Sequence, residues 1–171
     1  MKIVLVGYMG SGKSTLGKLL AKELNIKSLD LDQYMEQVEG QPISALFKER
    51  GEVYFRKREM ALLREVLDAT APMVLSTGGG TPCFGNNMQH IIGATPHSFY
   101  VKASIAELQR RLSKNKEERP LLANLNGEEM QEFIAKHLFE RSFFYNQAAH
   151  TIVTDNRTPK ALVAEMAQCL V

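Results

Sequence analysis

Two hydrophobic rhythms alternate along the chain. Short apolar runs span Lys2 to Val6, Lys27 to Leu31, Met73 to Thr77, Ser98 to Val101 and Thr151 to Val153, and their length and content predict strands. The stretches between them repeat at helical spacing. Leu16, Leu19, Leu20 and Leu24 mark a helix from Thr15 to Leu24, and Val53, Met60, Leu63 and Leu67 mark one face of a long helix from Glu52 to Ala69. Ahead of that helix, Pro42 suits a first helical turn, and Ser44 to Arg50 predict a short helix ending at Gly51. Ser104 and Glu107 cap a helix that ends at Arg111. Asn126 with Glu129, at capping-box spacing, starts another, whose apolar face is Met130, Phe133, Ile134 and Leu138. Strands that alternate with helices predict an α/β protein, three layers (α/β/α) around a five-stranded, mostly parallel sheet. Ligands of such sheets bind at the carboxyl ends of the strands.

Two segments exceed the minimal alternation. Residues 32–70 hold more than one helix and are expected to form a substrate-binding insertion. Residues 113–126 are polar and aperiodic, and a connection of that length is expected to act as a lid. The core is then 1–31, 71–112 and 127–171, within one domain of 171 residues.

Composition narrows the partners. A net charge of +2 gives no electrostatic case for nucleic acid or a membrane surface. No apolar run approaches the roughly 18 residues of a membrane span, and the N-terminal run is too short for a signal peptide. Cys83 and Cys169 lack metal-ligand spacing and are expected to be free thiols in a reducing cytoplasm.

The chemistry follows the strands. Gly7-Tyr8-Met9-Gly10-Ser11-Gly12-Lys13-Ser14 has the G-x-x-x-x-G-K-[ST] pattern, between a strand and a helix N-terminus. Its glycines bring backbone N–H groups onto phosphate oxygens, Lys13 reaches the outer phosphates, and the Ser14 hydroxyl is suited to Mg²⁺. The second strand ends in Asp30-Leu31-Asp32. Strand alternation puts both aspartates on one face, either as a Mg²⁺ ligand and a partner for an acceptor hydroxyl, or as solvated caps of the next helix. Gly78-Gly79-Gly80 follow the third strand, where no magnesium-binding aspartate stands. They let backbone approach a small ligand or form a flexible turn.

Arg56 lies on the apolar stripe of the long helix, with Glu59 at i+3, and Arg141 continues the apolar face of the helix after Asn126. Two inward arginines suit a carboxylate ligand, although each has the alternative of snorkelling to solvent. Arg119, followed by Pro120-Leu121-Leu122, is placed either to swing onto a transferring phosphate or simply to be solvated. Arg111, or its neighbour Arg110, is placed to stack on adenine or to stabilise a helix C-terminus. An aspartate beside the acceptor favours an alcohol over a nucleoside monophosphate, and gluconate carries similar groups to any hydroxy acid. Residues 154–157 read Thr-Asp-Asn-Arg, so no guanine-reading Asn-Lys-x-Asp string supports a nucleotide switch.

In order and spacing, the phosphate loop, Asp30-Leu31-Asp32, Gly51-Glu52 with Phe55-Arg56-Lys57-Arg58-Glu59, the three glycines, Arg119-Pro120-Leu121-Leu122, and Arg141 with Tyr145 resemble bacterial shikimate kinases over essentially the whole chain. The resemblance implies a nucleoside-monophosphate-kinase-like fold and phosphorylation of the shikimate 3-hydroxyl by ATP in aromatic amino acid biosynthesis. It implies that Gly10, Ser11, Gly12, Lys13, Ser14, Thr15, Arg111, Arg119 and Arg157 bind ATP, and that Ser14 and Asp30 hold Mg²⁺. Asp32, Arg56, Glu59, Gly78, Gly79, Gly80, Arg141, Phe47 and Phe55 are implied to surround shikimate, with Lys13, Asp32 and Arg119 catalytic. A cytoplasmic monomer is expected.

Overall fold

The computed structural model describes residues 1–116, 119 and 121–171. Strands β1 (Lys2–Val6), β2 (Lys27–Asp30), β3 (Met73–Ser76), β4 (Ser98–Lys102) and β5 (His150–Val153) form one parallel sheet in the order β2-β3-β1-β4-β5. Helices α1 (Lys13–Glu23), α2 (Leu31–Glu39), α3 (Ile43–Asp68), α4 (Asn87–Ala94), α5 (Ile105–Lys114), α6 (Gly127–Tyr145) and α7 (Pro159–Gln168) complete the three layers. A single 3₁₀ turn, Thr81–Cys83, follows β3. The crossover after β1 runs to β2 at one edge and the crossover after its neighbour β4 runs to β5 at the other, so the loop after β1 stands at the switch point of the sheet.

The sheet is covered on both faces, which explains why its inner strands β1, β3 and β4 read as apolar runs rather than as polar–apolar alternation. On one face Ile3, Leu5, Val74, Phe99 and Ile152 pack against Leu16 and Leu20 of α1 and Leu162 and Met166 of α7. On the other, Val4, Val6, Leu75 and Tyr100 pack in a cluster with Leu62, Leu63 and Val66 of α3 and Met130 and Ile134 of α6. Leu122, in the segment expected to be a lid, is fully buried in that second cluster. Pro120 lies outside the described residues. Among the described residues, no helix is long and apolar enough to cross a membrane.

Several expectations shift for local reasons. β2 stops at Asp30, not Leu31, because the Asp30 carboxylate accepts the Asp32 and Gln33 N–H groups and opens α2. Asp32 therefore sits in the first turn of a helix, and the alternating-face placement of the two aspartates does not hold. Pro42 is the N-cap of α3 rather than a residue of its first turn. The two helices expected on either side of Gly51 form one run interrupted there, at φ 82° and ψ 171°, a conformation open to glycine. Beyond the break, the inward stripe is Phe55, Glu59, Leu62, Leu63, Val66 and Leu67, while Val53 is 67% exposed. Val53 lies two residues from Phe55, about 200° around the helix. Leu19 is likewise exposed, since α1 turns Leu16, Gly17, Leu20 and Ala21 to the sheet. The box at the start of α6 is present: Asn126 accepts from the Glu129 N–H and Glu129 accepts from the Asn126 N–H.

Gly17 allows α1 to approach β3. A Cβ there would stand 2.5 Å from Ser76 Oγ, which already donates to the Lys13 carbonyl. Gly17→Ala is expected to lower unfolding free energy by about 1–3 kcal/mol through overpacking, despite the better helix propensity of alanine. Ser76→Ala in the same chain should recover part of that loss. Denaturant midpoints of the four proteins in the cycle measure both effects.

Candidate active site

The loop after β1 turns back on itself before α1 begins at Lys13. Lys13 is buried, and its Nζ donates to the carbonyls of Gly7 at 2.7 Å and Tyr8 at 2.9 Å. Burial lowers its pKa to about 8, against the attraction of Asp32 and Asp30. Ser14 Oγ donates to Asp30 Oδ2 at 2.6 Å, while Asp30 Oδ1 caps α2. Asp30 thus caps a helix with one oxygen and stands against the phosphate loop with the other.

Ser14 and Asp30 offer hard oxygen donors of the kind Mg²⁺ prefers. Among the described residues, no group of three or more His, Cys, Asp or Glu forms a metal cage. This donor set fits Mg²⁺, which is usually held by one or two protein oxygens with waters and substrate phosphates.

Asp32 projects toward the turn after β3. Burial, with Asp30 and Glu59 nearby, raises its pKa to about 6, although Lys13 and Arg56 pull the other way. The glycine run is where the remaining groups meet. A Cβ on Gly78 would come within 3.0 Å of Asp32 Oδ1, one on Gly79 within 3.4 Å of Arg141 Nη1, and one on Gly80 would collide with the Arg56 guanidinium at 2.4 Å. Glu59 Oε2 would also lie 3.3 Å from the Gly78 Cβ, so four charged side chains converge on the glycine run.

Arg56 does not snorkel. Its Nη1 donates to Glu59 Oε1 at 2.8 Å, and Glu59, 1% exposed, accepts from Thr81 Oγ1 at 2.7 Å through its other oxygen. Phe55 is buried beside it with its ring centroid 4.5 Å from that of Phe47, which lies at the surface. Arg141 lies over the Tyr8 ring at 5.7 Å and, among the described residues, makes no ion pair. Tyr145, one turn further along α6, donates to the Gly79 carbonyl at 2.6 Å and anchors the glycine run.

A cavity of about 950 Å³ follows the phosphate loop, lined by Gly10, Ser11, Gly12, Lys13, Ser14, Thr15, Asp30, Asp32, Gly78, Gly79, Arg111, Arg119 and Arg157 among others. Arg56, Arg141 and Gly80 stand just beyond it, around the glycine run. Arg111 spends its in-plane donors on the loop: Nη1 reaches the carbonyls of Gly10 and Ser11, Nη2 reaches Thr154 Oγ1, and Nε reaches Glu107. Arg110 binds the same carboxylate, and the two arginines hold Glu107 at about 2. Arg157 pairs with Glu165 of α7 and donates to the Val153 carbonyl. Arg119 stands with Nη1 3.7 Å from Met9 Sδ. Sequence patterns give no role to Thr81 or to Tyr8. Thr81 was visible only as the residue after three glycines, and Tyr8 occupies a position that the loop pattern leaves free.

The shikimate kinase family model matches residues 9–171. The shikimate kinase of Flavobacterium johnsoniae is 47% identical over 99% of this chain and 98% of that protein. The crystal structure of shikimate kinase from Bacteroides thetaiotaomicron superposes with a TM-score of 0.91 at 36% identity, covering 99% of this chain and 98% of that one. Shikimate kinase from Acinetobacter baumannii in complex with shikimate superposes at 0.87 with 31% identity, covering 99% of this chain and 92% of that one. With this sequence match over the full length and this arrangement of phosphate loop, aspartates and arginines, the chain belongs to the shikimate kinase family.

Proposed function

We propose that the chain transfers the γ-phosphoryl group of ATP to the 3-hydroxyl of shikimate, giving shikimate 3-phosphate and ADP for aromatic amino acid biosynthesis. The observation that carries this is the meeting of Asp32 with Arg56 and Arg141 around the glycine run, beside the phosphate loop. It pairs a site for a hydroxyl with a site for a carboxylate on one small acceptor. A relative of 31% identity is described in complex with shikimate.

In this reading residues 32–70 bind the acceptor, residues 113–126 act as the lid, and the remainder is the core. Gly10 to Thr15 wrap the phosphates, and Lys13 leaves its carbonyl partners to meet them. Phosphate oxygens favour its charged form, so nucleotide binding raises its lowered pKa. Ser14 and Asp30 would hold Mg²⁺, which supplies neutralisation of charge on the phosphates when bound. The hydrogen-bonded edges of Arg111 leave its faces open to adenine, with Arg157 at the far side of the base. Arg56, aligned by Glu59, and Arg141 take the carboxylate through charge-assisted hydrogen bonds, while Phe47 and Phe55 form an apolar wall. Asp32 accepts the acceptor hydroxyl and receives its proton as the phosphoryl group moves. Arg119 adds positive charge at the transferring group when the lid excludes water. Phosphoryl transfer gains mainly from such positioning and electrostatics. The chain is taken to work as a cytoplasmic monomer with its two cysteines as free thiols.

Purified protein with Mg²⁺ and ATP should release ADP on addition of shikimate and not on addition of gluconate. Turnover with gluconate and none with shikimate in a coupled assay would overturn the proposal.

Asp32→Asn should lower kcat by about 10²–10⁴, the scale of general acid–base catalysis. In the unsubstituted protein, kcat/KM should fall as pH drops below about 6, because the carboxylate is then protonated. The same residue affects stability with a definite sign. Its folded pKa of about 6 lies above the ordinary 3.8, so the folded state holds the proton more tightly and stability falls as pH rises between those values. At neutral pH the charge costs at most about 3 kcal/mol. Asp32→Asn should therefore melt higher at pH 7, and the difference should close below pH 4.

Arg141→Ala should weaken shikimate binding by about 1.5–3 kcal/mol, the scale of hydrogen bonds to charged groups. Calorimetric titration with shikimate measures it, and an unchanged dissociation constant would remove Arg141 from the acceptor site.

A further inference from the structure

We infer that Tyr8, in a free position of the phosphate loop, is a positioning residue for Arg141, seating its guanidinium for the acceptor carboxylate, with His137 holding the seat in place. The inference rests on the proposed function for the identity of the acceptor, and on geometry for the seat itself.

Tyr8 is 1% exposed, so its hydroxyl needs a partner inside the protein. It finds one on α6: Tyr8 Oη and His137 Nδ1 stand 2.9 Å apart. The His137 ring is itself wedged against Phe133, with centroids 4.3 Å apart, and tilts toward the Tyr8 ring at 5.9 Å. Arg141 lies one helical turn beyond His137, on the same side of α6. Its Cζ stands 5.7 Å from the centroid of the Tyr8 ring, within the roughly 6 Å reach of a cation–π contact.

No carboxylate holds Arg141 among the described residues, whereas Arg56, its counterpart across the glycine run, has Glu59. The two arginines are therefore oriented by opposite means. Glu59 orients Arg56 by charge, and the Tyr8 ring orients Arg141 without neutralising it. A second carboxylate under Arg141 would compete with the substrate's own, and an aromatic face does not.

The seat is also tied to the donor side. The Tyr8 carbonyl accepts from Lys13 Nζ at 2.9 Å, and the Gly7 carbonyl before it does so at 2.7 Å. One residue thus touches the phosphate-binding lysine through its backbone and the carboxylate-binding arginine through its ring.

The test is a double-mutant cycle between Tyr8→Leu and Arg141→Ala, read in two ways. With shikimate as ligand, Tyr8→Leu should raise the dissociation constant about threefold to tenfold, the range of a partly desolvated cation–π contact. It should change it less than about twofold when Arg141→Ala is already present, since the ring then has nothing to seat. In steady-state kinetics the change should appear in the KM for shikimate rather than in that for ATP. Tyr8→Phe keeps the ring and should lose less than Tyr8→Leu. His137→Asn, which keeps an acceptor near the Nδ1 position, should bind shikimate more tightly than His137→Ala. Equal losses in both Arg141 backgrounds, or a rise in the KM for ATP of the same size, would overturn the inference. The second reading is the same cycle in urea unfolding of the protein without ligand, which detects the contact whatever the acceptor is. Additive unfolding free energies would overturn the seat even if shikimate is the substrate. Non-additive ones in a protein that fails to phosphorylate shikimate would retain the seat and reject the functional reading.

Discussion

Among the described residues one fully buried carboxylate organises the groups around the glycine run. Glu59 is 1% exposed, and a charge at that depth survives only when both oxygens are matched. Arg56 satisfies one and Thr81 the other. The consequences spread outward. α3 presents Glu59 inward among leucines, on the stripe that follows the break at Gly51. The turn after β3 must bring Thr81 beneath it while leaving room for Arg56, and Gly80 supplies that room. Glu59 also adds to the field that raises Asp32. Loss of this one residue would free Arg56, orphan Thr81 and lower the pKa of Asp32 at once.

Charges of both signs are packed closely in the crevice, and burial works against two of them. Lys13 is held below its ordinary pKa and Asp32 above its own. Each shift is a stability cost borne by the folded chain, and in the proposed function each diminishes as substrates bind. On that proposal, phosphates favour the charged lysine, and an acceptor hydroxyl gives the aspartate a donor to meet. The site is thus strained toward its ligands, a common trade between stability and activity. The remaining core, covered on both faces of the sheet, supplies the rigidity against which that strain is kept.

The fold was largely legible, because five apolar runs separated by helical periodicity allow few arrangements. The candidate site was legible where a local pattern carries chemistry: the phosphate loop, the Arg56–Glu59 spacing, the three glycines. It was less legible where two effects compete over one residue. Leu31 reads as strand because alternation continues through it, yet the Asp30 carboxylate caps the N–H groups that follow and ends the strand first. Val53 matched a helical face on paper, but the neighbouring Phe55 and Glu59 settled which face turns inward.

The sequence by itself determined the parallel α/β layering, the phosphate loop at the end of β1 and the residue types of both half-sites, since these follow from periodicity and short-range spacing. Only the tertiary structure decided which groups meet. The convergence of Asp32, Glu59, Arg56 and Arg141 on three glycines joins segments far apart in the chain. So does the contact of Tyr8 with His137 and Arg141, which are separated from it by more than a hundred residues. Such contacts depend on how α3 and α6 pack over one sheet, and no local pattern encodes a distance between two helices.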